Sequence, residues 1–416
     1  MRYSYPFSNT SLFVLLCISL FNSSCENEPK IDLPGTKSQY LVEVQFDDIN
    51  NLDLTTLLEH SQWIPLKDKN INSVSQAGMG ASFFTVFNES HLNEMINIVG
   101  FDYQGKSIFE IDYDHPFVPN IGHIDDLRIL NDTLILLHRT AERLIYLNKA
   151  GEYSDVNPEV ITGNAFLPLS NHRILFYSDS KDYHPVSRRT GNAFYVFDSH
   201  SQKSVYSFAP FPPVFENMGL AIVPTPIFKG KAPNTALCTL VGQDTIYEVK
   251  ADSYHPKYFV QFPNSLQKKS ALDQLNRDYL ALKGTNRDRS PIDREALDLI
   301  MNPNYLRAID FVQEFENYLL LVYSYGTKKR YLSIYNKANG QCVTKSVPSL
   351  WNMYQNRFFQ GDEDYIILIA SDPETLFENE PDLHLPKDHI PEPGNEANPI
   401  VFKIPLEKLV QTMLAI

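Results

Sequence analysis

The stretch LIYLNKAGEY (residues 144–153) contains a short apolar alternation, a turn around Asn148 and Gly151, and a return into a second strand. Alternating apolar residues followed by a glycine-containing turn are typical of a β-hairpin. Related hairpins recur along the chain. They are FDYQGKSIFEI (101–111), FYVFDSHSQKSVYSF (194–208), TIYEVKADSYHPKYFVQF (245–262), YLSIYNKANGQCVTKSV (331–347) and IVFKIPLEKL (400–409).

Six copies of this unit predict a six-bladed β-propeller. Repeats of roughly 40 to 50 residues made of short strands are typical of propellers, because one blade cannot bury both of its faces alone. The hairpins begin near residues 98, 144, 194, 245, 331 and 400, at separations of 46, 50, 51, 86 and 69. The two longest separations predict insertions at about 263–304 and 371–399. We therefore expect an all-β fold of four-stranded antiparallel blades, with a helical insertion between blades 4 and 5.

The strands of single blades are predicted with different clarity. Blade 2 is the clearest, with DDLRIL, NDTLILLHR, RLIYLN and EYSDV between residues 125 and 156. HSQWIPLKD (60–68) is interpreted as a strand of the first blade, followed by a loop around Gly78 and Gly80, and ASFFTVF and EMINIVGF are interpreted as the strands that complete this blade. YLVEVQF (40–46) is predicted to pair with the final blade and close the ring, because closure removes exposed sheet edges.

The two insertions differ in character. Ser270 with Asp273 predicts the start of an amphipathic helix, and Ser290 with Pro291 predicts the start of a second one. The predicted buried faces are Leu272, Leu275, Tyr279 and Leu282 in the first helix, and Leu297, Ile300 and Met301 in the second. The stretch 371–399 is acidic and rich in proline, which predicts a long surface loop. If both insertions leave the same face, their opposite charges would let them contact each other or frame a polar groove.

The N-terminus is predicted to be a targeting segment rather than part of the fold. Arg2 is the only charged residue before Glu26, and LFVLLCISLF (12–21) is too short an apolar run to span a bilayer. The next residues, NSSC (22–25), resemble a bacterial lipobox, which implies lipidation of Cys25; the alternative is an ordinary signal peptide with an incidental cysteine. The predicted organisation is a signal peptide (1–24), a tether (25–39) and the propeller (40–416).

Composition restricts the class of partner. The chain has 50 Asp and Glu against 36 Lys and Arg, a net charge of -14, which opposes binding to nucleic acid. A membrane partner is expected only through the lipid at Cys25, at the outer membrane of a bacterial envelope, periplasmic or surface-exposed. We expect a monomer with no cofactor and no metal, and we expect Cys238 and Cys342 to be buried or half-buried thiols rather than a disulfide.

Reaction motifs are absent, and the candidate ligand-face residues are therefore few. The sequence contains no GxSxG, HExxH, GxGxxG or CxxC pattern. Asp126 and Asp182 are candidates because each belongs to a carboxylate pair beside a predicted strand; the alternative is a role in a turn or a strand cap. Asp125 and Asp126 cannot both face one pocket if the strand includes them, because successive strand residues point to opposite sides.

Basic residues concentrate in the helical insertion. The group consists of Lys268, Lys269, Arg287, Arg289 and Arg294. Two interpretations remain open for it, a solvated helix face and a contact with an anion or carboxylate. Arg287 and Arg289 are the candidates for the second.

The order of these segments resembles that of the six-bladed β-propeller lipoproteins of Bacteroidetes. The segments are a WIPL strand, FDYQGK, IDDLRILNDTLILLHRTAERLIYLNKAGEY, QDTIYEVKADSYHPKYFVQFP, the helical insertion, SIYNKANGQ and NEANPIVFKIPL. The resemblance covers nearly the whole mature chain and is to NHL-type propellers rather than WD repeats. Because these families are largely of unknown function, the resemblance implies the fold and the anchor but no substrate.

Two classes of function fit the sequence. The first is a binding module for a protein, a peptide or a glycan, and the second is a propeller enzyme, a hydrolase or lyase, with a site assembled from several blades. His, Asp, Glu or Arg side chains converging in the central channel would favour the enzyme, and an apolar or aromatic rim would favour the binding module.

Overall fold

A computed structural model of the chain describes residues 40–414 with some exceptions. The exceptions are residues 47–48, 67–70, 72–73, 90–95, 113–114, 117, 119–120, 122–123, 139–141, 157–162, 171, 180–184, 216–225, 242, 284, 286–287, 327–328, 348–355, 363 and 372–397. The described residues form six small sheets, which are the blades of a propeller. Each contains four antiparallel strands, and one of the sheets has a fifth strand in parallel at its edge. The predicted six-bladed all-β fold is confirmed.

The N-terminal elements precede the first three blades. They are strand β1 (Tyr40–Glu43), helix α1 (Leu54–Glu59) and strand β2 (Gln62–Pro65). Blade 1 contains β3 (Val74–Met79), β4 (Phe84–Glu89), β5 (Ile96–Phe101) and β6 (Ser107–Ile111). Blade 2 contains β7 (Ile124–Leu130), β8 (Thr133–His138), β9 (Arg143–Leu147) and β10 (Tyr153–Val156). Blade 3 contains β11 (Ala165–Pro168), β12 (Arg173–Tyr177), helix α2 (Pro185–Thr190), β13 (Asn192–Asp198) and β14 (Lys203–Pro210).

The second half of the ring carries the helical insertion. A 3-10 turn (Pro213–Phe215) precedes blade 4, which contains β15 (Ile227–Lys229), β16 (Ala236–Cys238), β17 (Thr245–Val249) and β18 (Tyr254–Gln261). Helices α3 (Ser265–Leu282) and α4 (Ser290–Met301) lead to blade 5, with β19 (Leu306–Glu314), β20 (Tyr318–Tyr325), β21 (Lys329–Asn336) and β22 (Cys342–Val347). Blade 6 contains β23 (Asn356–Phe359), β24 (Tyr365–Ala370) and β25 (Ile400–Pro405), and helix α5 (Leu406–Leu414) follows it.

The strand β8 illustrates how a continuous apolar run builds the ring. Successive side chains of a strand point to opposite faces, so Leu134 lies in a buried cluster with Ile98 of blade 1, while Ile135 lies in a cluster with Phe166 of blade 3. Each fully buried side chain of this kind contributes about 1.5 to 3 kcal/mol. Middle strands are therefore apolar on both faces, because each face packs against a neighbouring blade.

The ring is closed by β2 rather than by the N-terminal stretch 40–46. In blade 6, β2 pairs antiparallel with β25 and places Trp63 opposite Phe402, with ring centroids 5.1 Å apart. β1 instead pairs in parallel with β18 of blade 4, where the Tyr40 ring stacks on Tyr258 at 5.2 Å. The prediction that residues 40–46 close the last blade was wrong. HSQWIPLKD, predicted to belong to the first blade, instead supplies the closing strand of blade 6. Val42 is fully buried against blades 4 and 5, which explains why β1 is held there.

We call residues 40–65 the N-terminal belt, since its described part contacts the outer strands of three blades. After β1, the Leu52 N–H donates to the Ser346 carbonyl at 2.8 Å, and the Ser346 N–H donates to Asn50 at 3.0 Å. Ser346 belongs to β22, the outermost strand of blade 5. The belt then reaches blade 6 through β2, so it connects blades 4, 5 and 6 in turn.

The helical insertion is confirmed, with differences in its details. α3 begins at Ser265, five residues before the predicted start, after Asn264 adopts the left-handed conformation at φ 62°. Its residues Leu272, Leu275 and Tyr279 are buried as predicted. In α4 the buried residues are Ala296, Leu299 and Ile300, whereas Leu297 and Met301, predicted on the same face as Ile300, are exposed.

Both insertions begin and end on the same face of the ring. Because neighbouring strands of a blade are antiparallel, the start of its first strand lies beside the end of its second strand. In blade 5 Leu306 accordingly pairs with Tyr325, and in blade 6 Asn356 pairs with Ala370, which also pairs with Ile400. The strand ends that flank the acidic stretch are therefore on the side of the helical insertion. Residues 372–397 themselves lie outside the described part of the chain, so the predicted contact between the insertions stays a prediction.

Two further predictions concern the cysteines and the loop at the first glycines. Cys238 is buried and Cys342 partly buried, and both are free thiols, as expected. Gly78 lies within strand β3 and not in a loop. A Cβ atom at Gly78 would lie 2.9 Å from the Leu127 side chain, so glycine allows β3 and β7 to approach closely.

Across the described residues, no helix combines the length and the apolar character that crossing a bilayer requires.

Candidate functional site

A cavity of about 160 Å³ lies at the centre of the ring. Residues from the first strand of every blade line it, that is from β3, β7, β11, β15, β19 and β23. Val322 of β20 and Arg330 of β21 complete the lining together with Gln360 and Gly361, which follow β23. Because all six blades contribute, no local sequence motif describes this site.

Asp126 and Arg128 form an ion pair in the wall from blade 2. The Asp126 Oδ2 atom lies 3.1 Å from both Nε and Nη2 of Arg128 and also accepts the Phe166 N–H at 3.0 Å. The Oδ1 atom accepts the Leu127 N–H at 2.9 Å. Burial raises the pKa of Asp126, and the Arg128 guanidinium and the two backbone N–H groups oppose that rise. This carboxylate is fully engaged in holding Arg128 in place.

A β-bulge sets the direction of the Asp126 side chain. The pairing of β7 with β8 shifts between Ile124 and Asp126, which leaves Asp125 as the extra residue. The carbonyl of Asp125 accepts a hydrogen bond of 2.7 Å from the Gln76 side chain of blade 1. Asp125 therefore joins two blades through its backbone, while Asp126 lines the cavity.

Asp310 and Arg330 form a second pair, in blade 5, which is three blades from blade 2 in the six-bladed ring. The Arg330 Nε atom lies 3.4 Å from the Asp310 Oδ2 atom, and the two side chains are 12% and 6% exposed. The pairing of β19 with β20 also shifts around Asp310, between Ile309 and Phe311. Burial raises the pKa of Asp310, and Arg330 and Arg307 oppose that rise. The two bulges thus place one Asp–Arg pair in each of two facing blades.

Gln360 fixes the position of Lys229 at the edge of the cavity. Its Oε1 atom accepts the Lys229 N–H at 2.6 Å, and its Nε2 atom donates to the Lys229 carbonyl at 2.9 Å and to the Val312 carbonyl at 3.1 Å. One side chain from blade 6 therefore joins the inner strands of blades 4 and 5. The Lys229 side chain remains exposed.

Aromatic rings form the apolar part of the lining. Phe228 lies edge-on to Phe311 at a centroid distance of 6.0 Å, and Phe311 lies 6.0 Å from Phe358. Apolar walls with a few fixed polar groups are typical of ligand sites. Charged side chains were expected to favour the enzyme, and aromatic rings were expected to favour the binding module. Both features are therefore present in the channel.

The structure places the predicted site residues in different locations. Asp126 lines the cavity, and its role in ligand contact stays a prediction. Arg289 lies at the start of α4, outside the cavity lining, with its guanidinium 5.3 Å from the centre of the Tyr279 ring. Asp182 and Arg287 lie outside the described residues. Lys268 belongs to the basic group for which a solvated helix face was one interpretation. The structure instead buries Lys268, with 4% of its surface exposed.

Sequence reasoning missed Arg128, Lys229, Asp310 and Arg330. The period-2 rule that separated Asp125 from Asp126 would also have placed Arg128 on the side of Asp126. No sequence signal indicates that Asp310 and Arg330 meet, because they lie on different strands. In the part of the chain that is described, no three His, Cys, Asp or Glu side chains are grouped as a metal site requires.

The six blades around a central cavity define a six-bladed β-propeller. A solved structure of a predicted exported protein from Bacteroides fragilis is similar to it, with a TM-score of 0.59 and 14% identity over 88% of this chain and 98% of that chain. A member of the DUF4221 family from Bacteroides vulgatus has a TM-score of 0.44 and 12% identity over 83% of this chain and 96% of that chain. No protein-family model matches the sequence, and no curated protein matches it significantly. The finer resemblance to NHL-like lipoproteins stays a prediction.

Proposed function

We propose that this chain is a lipid-anchored binding module of the cell envelope, and that its central cavity receives part of a protein, a peptide or a glycan. The observation that carries the proposal is the cavity, which all six blades line with fixed polar groups and aromatic rings. A ring of packed blades holds such groups in place before a ligand arrives, which lowers the entropy cost of binding.

The state of the polar groups favours binding over catalysis. A general base needs a lone pair that faces the substrate, but both oxygens of Asp126 already accept hydrogen bonds. Among the described residues that line the cavity there is no His, Cys or Tyr. The alternative of a hydrolase or lyase rests on the two Asp–Arg pairs, and turnover of a bound ligand would support it.

Filling the cavity tests where the ligand binds. Ala77 lines the cavity from β3, and Ala77→Phe would occupy part of its volume. Ala338→Phe makes the same change on an exposed turn of blade 5 and serves as the control. On glycan and peptide arrays we expect the wild type and the control to bind the same features, and Ala77→Phe to bind them at least about tenfold more weakly.

The array result is interpretable only if both variants fold, which thermal melting would establish. Unchanged binding by a folded Ala77→Phe protein would contradict a site in the cavity. Release of a cleaved product from an array ligand would favour the enzyme.

The anchor is a separate part of the proposal. The NSSC stretch that ends at Cys25 supports lipidation, and the similar Bacteroides fragilis protein is also a predicted exported protein. Two or more acyl chains give a stable membrane anchor. Cys25→Ala should therefore move the protein from the membrane fraction to the soluble fraction and remove labelling by a fatty-acid probe, whereas Cys238→Ala should leave both unchanged. Labelling that persists in Cys25→Ala would contradict lipidation at this residue.

A further inference from the structure

Two cationic residues of the cavity lining, Arg128 and Lys229, are linked through strand β15 of blade 4. The Arg128 Nη2 atom crosses from blade 2 and donates to the carbonyl of Ile227 in blade 4 at 3.2 Å. Ile227 is two residues before Lys229 on the same inner strand. A strand rises about 3.3 Å per residue, so Arg128 reaches β15 within about 7 Å of the Lys229 backbone along the strand.

Both groups have donors that no described residue accepts. Arg128 uses Nε and Nη2 for Asp126 and Ile227, and no described residue accepts a hydrogen bond from its Nη1 atom. Within the described part of the chain, no acceptor lies at hydrogen-bond distance from the Lys229 ammonium group, although the backbone of Lys229 is held firmly by Gln360. The backbone of Lys229 and two nitrogen atoms of Arg128 are therefore fixed, while the Lys229 ammonium group and the Arg128 Nη1 atom can donate to a ligand.

The charges of the described lining residues leave a surplus of one positive charge. Among these residues, Arg128, Lys229 and Arg330 are opposed by two carboxylates, Asp126 and Asp310, and each of these carboxylates faces an arginine. Lys229 is the cation that neither carboxylate contacts. A single negative charge would complete this balance in a protein that otherwise carries a net charge of -14.

We propose that the cavity binds a carboxylate group of its ligand between Arg128 and Lys229. This inference rests on the proposed function and names the chemistry of the ligand. A guanidinium edge and an ammonium group form charge-assisted hydrogen bonds to carboxylate oxygens. The surplus of one charge matches a carboxylate rather than a doubly charged phosphate. The carboxylate belongs either to an acidic sugar or to the end of a peptide, and the test separates these sources.

Calorimetric titration of the purified mature protein with two matched pairs of probes tests the inference. The first pair is methyl glucuronide and neutral methyl glucoside, and the second is N-acetylalanine and its amide. We expect one or both acids to bind and their neutral partners not to bind. Lys229→Gln should weaken binding of the acid about tenfold, the usual effect of losing one charge-assisted hydrogen bond.

Lys231→Gln is the matched control, because it makes the same charge change near the same strand but outside the cavity lining. Arg128→Lys preserves the positive charge beside Asp126 and removes the Nη1 donor, so it should fold and should weaken binding of the acid. Equal binding of acid and neutral probes, no binding of either acid at millimolar concentration, or unchanged binding by Lys229→Gln would each overturn the inference. If the acids bind as expected but array binding survives Ala77→Phe, the proposed function fails and this inference stands. If Ala77→Phe abolishes array binding but neither acid binds, this inference fails and the proposed function stands.

Discussion

Lys268 shows how one buried charge connects the insertion to the ring. Its ammonium group lies under α3 and donates a hydrogen bond to the Leu306 carbonyl at the start of blade 5. Burial lowers the pKa of Lys268 to about 8, and the nearby Asp244 carboxylate only partly opposes this change. Burial likewise raises the pKa of Asp244 to about 6, against the effect of Lys268 and Lys269.

The lowered pKa of Lys268 predicts a rise in stability with pH. Between pH 8 and 10.5 the folded protein has lost this proton while the unfolded chain still holds it, so the free energy of unfolding increases as pH rises. Relative to Lys268→Met, the wild type should gain up to about 3 kcal/mol across this interval, measured by urea unfolding. Lys269→Met, at the exposed neighbouring position, should follow the wild type. A constant difference between wild type and Lys268→Met at all pH values would contradict the burial of this charge.

At the scale of single residues, the sequence predicted the apolar core better than the site. The apolar run in TLILLH identifies Leu134 and Ile135 as buried residues on opposite faces, because a strand buried on both faces is apolar at successive positions. The period-2 rule could have placed Arg128 on the side of Asp126. Lys229 could not be identified in this way, because one exposed lysine in a three-residue strand carries no pattern, and its importance comes from the arginine of another blade.

The N-terminal belt is the element whose role the sequence did not reveal. YLVEVQF and SQWIPL are both short alternating strands, so periodicity cannot decide which of them closes the ring. The choice depends on tertiary contacts: Trp63 meets Phe402 and donates its indole N–H to the Leu58 carbonyl at 2.8 Å. A strand pairing of this kind joins residues more than three hundred positions apart, which no local pattern encodes.

The junction between blades 4 and 5 has contacts that do not involve the belt. The Glu314 carboxylate accepts hydrogen bonds from Tyr258 at 2.6 Å, from Lys257 at 2.9 Å and from Lys337 at 2.9 Å. These donors hold the pKa of Glu314 below its usual range even though burial acts in the opposite direction. Loss of β1 would therefore leave this junction in place.

Two variants separate the role of β1 from that of β2. A protein lacking residues 40–46 should keep one cooperative thermal transition at a lower midpoint, because it loses the burial of Val42 but not the closing strand. Ile64→Asp, which places a charge in the core between blades 6 and 1, should broaden the transition and cost at least about 3 kcal/mol. Circular dichroism during heating distinguishes the two outcomes. A broad transition in the deletion and a sharp one in Ile64→Asp would mean that β1, not β2, closes the ring.

At the scale of the whole molecule, the number of blades and the helical insertion were predictable, and the site was not. Blade number follows from recurring hairpins such as YLSIYNKANGQ, and the insertion follows from its helical period. The cavity is a product of the ring, since Asp126 and Lys229 belong to different blades and come together only when the propeller is complete. Function in such a fold resides in the site and not in the blades themselves.

A crystal structure of the protein with the ligand identified on the arrays would show directly whether the central cavity is the binding site. We expect part of the ligand to occupy the central cavity, with acceptor atoms at hydrogen-bond distance from Arg128 Nη1 and Lys229 Nζ. A ligand bound against helices α3 and α4, with the cavity unchanged from that of the free protein, would contradict this expectation.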